Sequence, residues 1–206
     1  PRACDFLDLY LSDPEPGTRS MGAEQGLRLF LKDFETDPQG YAEWRKRTRG
    51  LPDEEVWKIA GSDFLEQVRK AGPSDVSSGA LPIWSAAWGP AWKHIQGPEM
   101  VQALSRWIAS GDAQAISNSL YLADRCGTSE EFLRNNAVPF LANPETRLSA
   151  ISAISGPGKR WAIPELTPHL HDADPEVVSR TVDALCQIGD PAVMPEIIEA
   201  MKRAGS

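Results

Sequence analysis

Two imidazoles and two carboxylates fall within His169-Leu170-His171-Asp172-Ala173-Asp174, and each is a competent metal ligand. Ligands at alternate positions do not share a helix face, however, and Asp174 stands directly before Pro175, where a helix N-cap belongs. The stretch therefore reads as a solvated polar corner, and no metal or other cofactor is expected from it. Gly156-Pro157-Gly158-Lys159-Arg160 invites comparison with a phosphate loop. It lacks the Gly-x4-Gly-Lys-Ser/Thr spacing and follows no strand, so it reads as a turn between helices with Lys159 facing solvent. The concentrated basic run of this acidic chain is Trp44 to Gly50, WRKRTRG. Its Arg45, Lys46, Arg47 and Arg49 suit an anionic partner, or pair within the chain with Asp33, Glu35, Asp37 and Glu43.

Nucleophilic chemistry has less to stand on. There is no Gly-x-Ser-x-Gly elbow and no His-Glu-x-x-His, and the three histidines leave the usual general base scarce. The three cysteines, Cys4, Cys126 and Cys186, match neither a zinc pattern nor a CxxC redox motif. Cys186 lies in a helical pattern and is expected to behave as a small buried apolar group. Dispersed thiols of this kind fit a reducing compartment, so a cytoplasmic location is expected. A formal charge of -8 gives a bulk field that repels nucleic acid and anionic membrane surfaces. No apolar run approaches the roughly 18 residues needed to cross a bilayer.

The elements that would position these groups are helices. Asp174 is a good N-cap, Pro175 suits the first helical position, and Gly189 supplies a left-handed close. Between them Val178, Val182, Leu185 and Ile188 follow at three- and four-residue steps as one apolar stripe. Asp190-Pro191 then opens a second helix with Ile197, Ile198 and Met201 as its apolar face. A frame shifted by 31 residues places Asn143-Pro144-Glu145 on Asp174-Pro175-Glu176, Gly158 on Gly189, and Pro164-Glu165-Leu166 on Pro195-Glu196-Ile197. A second shift of 31 brings Asp112 to the cap and Gly127 to the close. Apolar columns align as well: Leu120, Ile151, Val182; Leu122, Ala153, Ala184; Ala123, Ile154, Leu185. Caps, closing glycines and core columns that share one period define a repeat. Thr128 and Glu131 read as a capping box for the second helix of the earliest clear unit.

This pattern resembles the HEAT-repeat family in its short bacterial form, with an Asx-Pro-Glu opening, an alanine-rich first helix and Gly-Asp-Pro before the second. The resemblance covers about residues 110 to 203 and departs at Ser155 to Lys159, where SGPGK replaces the usual helix end. Pro168 further implies a short or kinked second helix in that unit. The expectation is an all-α chain: an α-solenoid of about four HEAT-like helical pairs with an irregular N-terminal helical cap. Residues 1–77 form the cap and residues 78–206 the repeats, at 78–110 (degenerate), 111–141, 142–172 and 173–203. In the cap, helices are expected over Cys4 to Leu11, Gly22 to Phe34, Tyr41 to Arg47, Asp53 to Ala60 and Asp63 to Lys70, broken at Gly61, with GPSDVSSG as a linker.

On that architecture the second helices line the concave side, and the expected role is a protein-binding scaffold or adaptor rather than an enzyme. Glu165, His169, Glu196 and Glu199 are the expected contact residues, and such acids suit a basic or polar partner. The alternative is an enzyme or enzyme accessory of the HEAT-like class, resembling either the phycobilin lyase-like group or the DNA alkylation repair glycosylases. The glycosylases hold DNA on a basic concave face with aromatics and a carboxylate, and here Trp44, Trp57, Trp84, Trp88, Trp92, Trp107 and Trp161 provide the aromatics. The second helices instead offer Glu165, Glu196 and Glu199, so nucleic acid is not the expected partner. Ile197, Ile198 and Met201 of the last helix ask for a cover, so either a further repeat of a longer protein or self-association through the C-terminal repeat is expected.

Overall fold

Prolines mark where most of the helices begin, since a missing amide proton costs nothing in the first turn. The structure, a computed structural model, describes residues 3–32, 34, 38–81 and 89–204, and no strand occurs among them. The chain divides into two compact units, Pro1–Ala103 and Leu104–Ser206. The expected boundary at residues 77 and 78 lies inside the first of these units. The supposed linker carries a short helix whose Val76 is fully buried, with the Asp75 carboxylate accepting from the Gly72 amide at 2.7 Å. The first helix expected for the degenerate pair falls largely on residues 82–88, which lie outside the described residues.

In the first unit, α1 (Ala3–Leu11) packs on α2 (Pro16–Phe30), and α2 packs on α4 (Asp53–Lys70). Helices α3 (Pro38–Thr48) and α5 (Pro73–Ser77) and a 3-10 turn at Pro90–His94 complete the unit as far as α6 (Pro98–Ile108), which runs across the division. The core gathers Phe30, Leu31, Trp44, Val56, Phe64 and Ile95, all buried. Phe30, Phe34, Tyr41 and Trp44 form an aromatic cluster, with Phe30 and Trp44 centroids 5.0 Å apart and Phe34 and Tyr41 4.8 Å apart.

Gly61 does not break a helix as expected, because α4 runs unbroken through it. A Cβ at Gly61 would stand 2.9 Å from His94 Cβ and 3.4 Å from the Ala91 carbonyl. Close approach of the 3-10 turn explains this glycine, not backbone conformation.

In the second unit three helical pairs follow one another. Helix α7 (Ala113–Arg125) is succeeded by α8 (Glu130–Asn136) and a 3-10 turn at Val138–Ala142. Helix α9 (Arg147–Ala153) is succeeded by α10 (Ile163–Leu166) between 3-10 turns at Arg160–Ala162 and Thr167–His171. Helix α11 (Pro175–Ile188) is succeeded by a 3-10 turn at Pro191–Val193 and α12 (Met194–Ala204). Helix α9 packs against both α7 and α11, and α12 packs against α11 and the Thr167–His171 turn.

The caps behave as side-chain chemistry dictates. Asp112 accepts from the Ala115 amide at 2.7 Å, Asp174 from Glu176 at 2.9 Å, and Asp190 from Ala192 at 3.0 Å. Asn143 accepts from the Glu145 amide at 3.0 Å, but only in the turn before α9, which begins at Arg147 after Thr146 without a side-chain cap. The Thr128–Glu131 capping box does not form. Ser129 caps α8 through the Phe132 amide, while the Thr128 hydroxyl donates to the Ala123 carbonyl and helps close α7.

Gly127, Gly158 and Gly189 all adopt left-handed φ, at 61°, 78° and 75°. They do not do the same work. Gly127 closes α7 with paired bonds, its own amide to Asp124 and that of Thr128 to Ala123, and Gly189 closes α11 through the Leu185 carbonyl. Gly158 sits in the connection beyond α9, which has already ended at Ala153.

The shared columns are buried, with one rotation of the apolar face. Leu122, Ala153 and Ala184 are buried, as are Ala123, Ile154 and Leu185. On α11 the buried face is Val177, Thr181, Ala184, Leu185 and Ile188, so Val178 and Val182 are only half-buried. Thr181 belongs to a column of small residues with Ser119 and Ala150, all fully buried, which lets the first helices approach closely. The Ser119 and Thr181 hydroxyls each donate at 2.7 Å to the carbonyl four residues earlier, so burial leaves neither unsatisfied.

Candidate functional site

Short polar links between neighbouring pairs account for several of the residues whose types suggested chemistry. Asp172 accepts from the Asp174 amide at 3.0 Å and from Arg147 at 2.7 Å, while the Arg147 Nε reaches the Leu141 carbonyl at 2.8 Å. The hydrogen bond from the Asp174 amide, with the Arg147 charge beside it, outweighs burial and holds the Asp172 carboxyl below the ordinary range. His169 Nδ1 stands 3.9 Å from Asp172, and burial followed by the Arg147 charge pushes its imidazole below the usual value. The His169–Asp174 corner thus ties the start of α9 to the start of α11.

Lys159 is not solvent-facing as expected. Its Nζ donates to Asp124 Oδ1 at 2.7 Å and to the Ala153 carbonyl at 3.0 Å, a cation at the C-terminal end of α9 that also reaches α7. Arg160 pairs with Asp190 at 3.2 Å, and the Arg134 guanidinium lies 4.5 Å from the centre of the Trp161 ring.

The basic run separates into two populations. Arg45 Nε donates to both Asp8 oxygens at 2.9 Å and its Nη2 to Asp5 at 3.0 Å, with the side chain only 12% exposed. Tyr41 donates its hydroxyl to the same Asp8. Arg47 pairs with Asp63 at 3.1 Å, and Lys32 shares that carboxylate at 3.0 Å. The partners found are thus Asp5, Asp8 and Asp63. Of the expected acids, Asp33, Glu35 and Asp37 lie outside the described residues. Lys46 on α3 and Arg49 just past its end are exposed.

Among the tryptophans, Trp44, Trp92 and Trp107 are buried in packing roles, and Trp57 is half-buried with Lys93 5.7 Å above its ring. Trp84 and Trp88 lie outside the described residues. Cys4 and Cys126 are buried, and burial pushes their thiols up to about 11 and about 12. Cys186, expected in the core, is exposed, because the buried face of α11 is centred on Thr181, Ala184 and Ile188.

Among the surfaces of the second unit, two draw on the 31-residue spacing. One is the expected row. Glu165 and His169 are half-buried, Glu196 and Glu199 are exposed, and Glu199 pairs with Lys202 at 2.8 Å. Glu165 and Glu196 stand 31 residues apart, at one register on successive second helices. The other surface is a cleft of about 270 Å³ over the first helices, floored by Ala153 and Ala184 and walled by Tyr121, Arg125, Ser152, Arg180, Asp183 and Gln187. Tyr121, Ser152 and Asp183 stand at successive 31-residue intervals, and sequence reasoning passed the cleft over. Its wall residue Asp124 is already engaged by Lys159.

No family model matches the chain, and neither a curated protein nor a solved structure matches it. No helix among the described residues is long and apolar enough to cross a membrane, and no group of three or more His, Cys, Asp or Glu residues among them is placed to hold a metal ion.

Proposed function

We propose that the second unit is a HEAT-like stack of helical pairs that serves as a binding module for another protein, with its second helices as the contact surface. One observation carries the reading. Glu165 and Glu196 hold the same station on successive second helices, and α12 packs directly on the turn that follows α10. Carboxylates repeated at one pair's spacing, with His169 between them and Glu199 beside them, favour a partner carrying basic side chains at a matching interval. Rigid pairs joined by Arg147–Asp172, Arg160–Asp190 and Lys159–Asp124 hold such a row in place, which reduces the ordering cost of binding. Lys46 and Arg49 on the first unit are a separate, smaller surface suited to an anionic partner.

The test is charge reversal. Replacing Glu165, Glu196 and Glu199 with lysine is expected to weaken partner capture at least about tenfold, a change of roughly 1.4 kcal/mol. The helical circular dichroism should stay unchanged, because none of the three is fully buried. Unaltered recovery of partners by the triple variant would refute the assigned surface.

A further inference from the structure

Helix α9 is the short member among the first helices. It runs seven residues, Arg147–Ala153, where its neighbours α7 and α11 run thirteen and fourteen. The stretch from Ser155 to Lys159 takes the place of further turns, with Gly156 and Gly158 at left-handed φ of 121° and 78°. Because α9 packs against both α7 and α11, its early end leaves the cleft of about 270 Å³ between them. Ala153 and Ala184 keep the floor low, having no side chain beyond Cβ.

The charges around that cleft are not balanced pair by pair. Asp124 is taken by Lys159, which folds back from the same stretch to 2.7 Å. On the α11 lip, Arg180 and Asp183 are both exposed and one turn apart. Neither side chain has an ion-pair or hydrogen-bond partner among the described residues. In Glu55–Lys58, Glu66–Arg69 and Glu199–Lys202, each closed at 2.8 Å over the same spacing, the acid comes first. Arg180 and Asp183 stand in the opposite, less favourable order. Across the cleft, the Arg125 guanidinium lies 5.2 Å from the centre of the Tyr121 ring. Arg125, Lys159 and Arg180 against Asp124 and Asp183 leave a positive surplus in a chain whose formal charge is -8.

We propose that this cleft binds a small acidic amino acid of the glutamate or aspartate type. Arg180 presents a guanidinium fork to the α-carboxylate, and Asp183 accepts from the α-ammonium, the two opposite charges a free amino acid carries side by side. The last turns of α7 and α9 border the cleft too, and their negative dipole ends favour the ammonium group. A net anionic ligand answers the positive surplus by directing its side-chain carboxylate across the alanine floor toward Arg125. Drug-sized ligands occupy pockets of about 300–1,000 Å³, so this smaller cleft suits a smaller molecule. The cleft belongs to the first helices, and ligand binding is read separately from capture of a partner by the acidic residues of the second helices.

Isothermal titration calorimetry of the full chain with glutamate and with aspartate should give a dissociation constant below about 1 mM for at least one of them. Glutarate, which lacks the ammonium group, and glutamine, which lacks the side-chain charge, should each bind at least about tenfold more weakly than glutamate. Arg180→Ala and Asp183→Asn, both at exposed positions, should each weaken binding at least about tenfold with helicity unchanged, while Ser179→Ala outside the cleft should not. Absence of binding by both acidic amino acids, binding indifferent to the Arg180 and Asp183 variants, or glutarate or glutamine bound as tightly as glutamate would each overturn the proposal.

Discussion

Arg45 illustrates what a charge run conceals. In sequence it is one of four cations within five positions, yet Lys46, Arg47 and Arg49 are exposed while Arg45 joins Asp5, Asp8 and Tyr41. Its acids lie 37 and 40 residues away, and local spacing carries no trace of them. Lys159 escaped notice for the same reason, because its partner Asp124 is 35 residues away. Removing the Arg45 side chain strands a half-buried carboxylate and phenol, so Arg45→Ala should cost about 1–3 kcal/mol in urea denaturation. Arg49→Ala should stay within about 0.5 kcal/mol of wild type. A pH signature accompanies the first variant. Burial works against ionisation of Asp8, but the hydrogen bonds from Arg45 and Tyr41 dominate and hold its carboxyl below the ordinary value. Folded Asp8 therefore binds its proton less readily than unfolded Asp8. Its stabilisation is complete above the unfolded value, about 4, and is lost as pH falls through the lower folded value. Melting temperatures followed down that acid limb should fall less steeply in Arg45→Ala than in wild type, and a limb of equal slope would separate Asp8 from Arg45.

Helix boundaries governed by local chemistry were legible. The Asp112, Asp174 and Asp190 caps and the Gly127 and Gly189 closes follow from side-chain oxygens and left-handed φ, which need no tertiary partner, whereas the helix expected to open at Asn143 begins only at Arg147. The buried face of α11 was misplaced. Valines stand on both sides of it, and Thr181 counts as polar until its hydroxyl is seen bonded to the Val177 carbonyl. Gly61 misled in the opposite sense, since a steric demand from His94 looks the same in sequence as a helix break. Two predictions separate these kinds of glycine. Gly127→Ala and Gly189→Ala meet open space, so each should lose about 1–2 kcal/mol from backbone strain alone. Gly97→Ala, also in open space but without positive φ, should not. Gly61→Ala gains about 1 kcal/mol of helix propensity but overpacks against the 3-10 turn at a cost of about 1–3 kcal/mol, so net destabilisation is expected. Thermal or urea melts of the four variants check all of this.

For the whole molecule, the all-helical character of the described residues was open to sequence, while the division at Ala103 and Leu104 was not. That division depends on packing between distant segments, and the supposed linker turned out to bury Val76. If the pairs of the second unit are stacked modules, each contacts only its neighbours, and one complete period is removable without destroying the rest. The decisive measurement is therefore an equilibrium melt, with helical circular dichroism, of a chain lacking residues 143–173, which joins Ala142 to Asp174 and sets the Leu120 column directly against Val182. Stacked modules give a shortened protein that keeps its helicity per residue and a single cooperative transition at a lowered midpoint. Loss of helicity together with loss of a cooperative transition would mean that the period is not a unit of folding, and the binding surface built on it would fall as well.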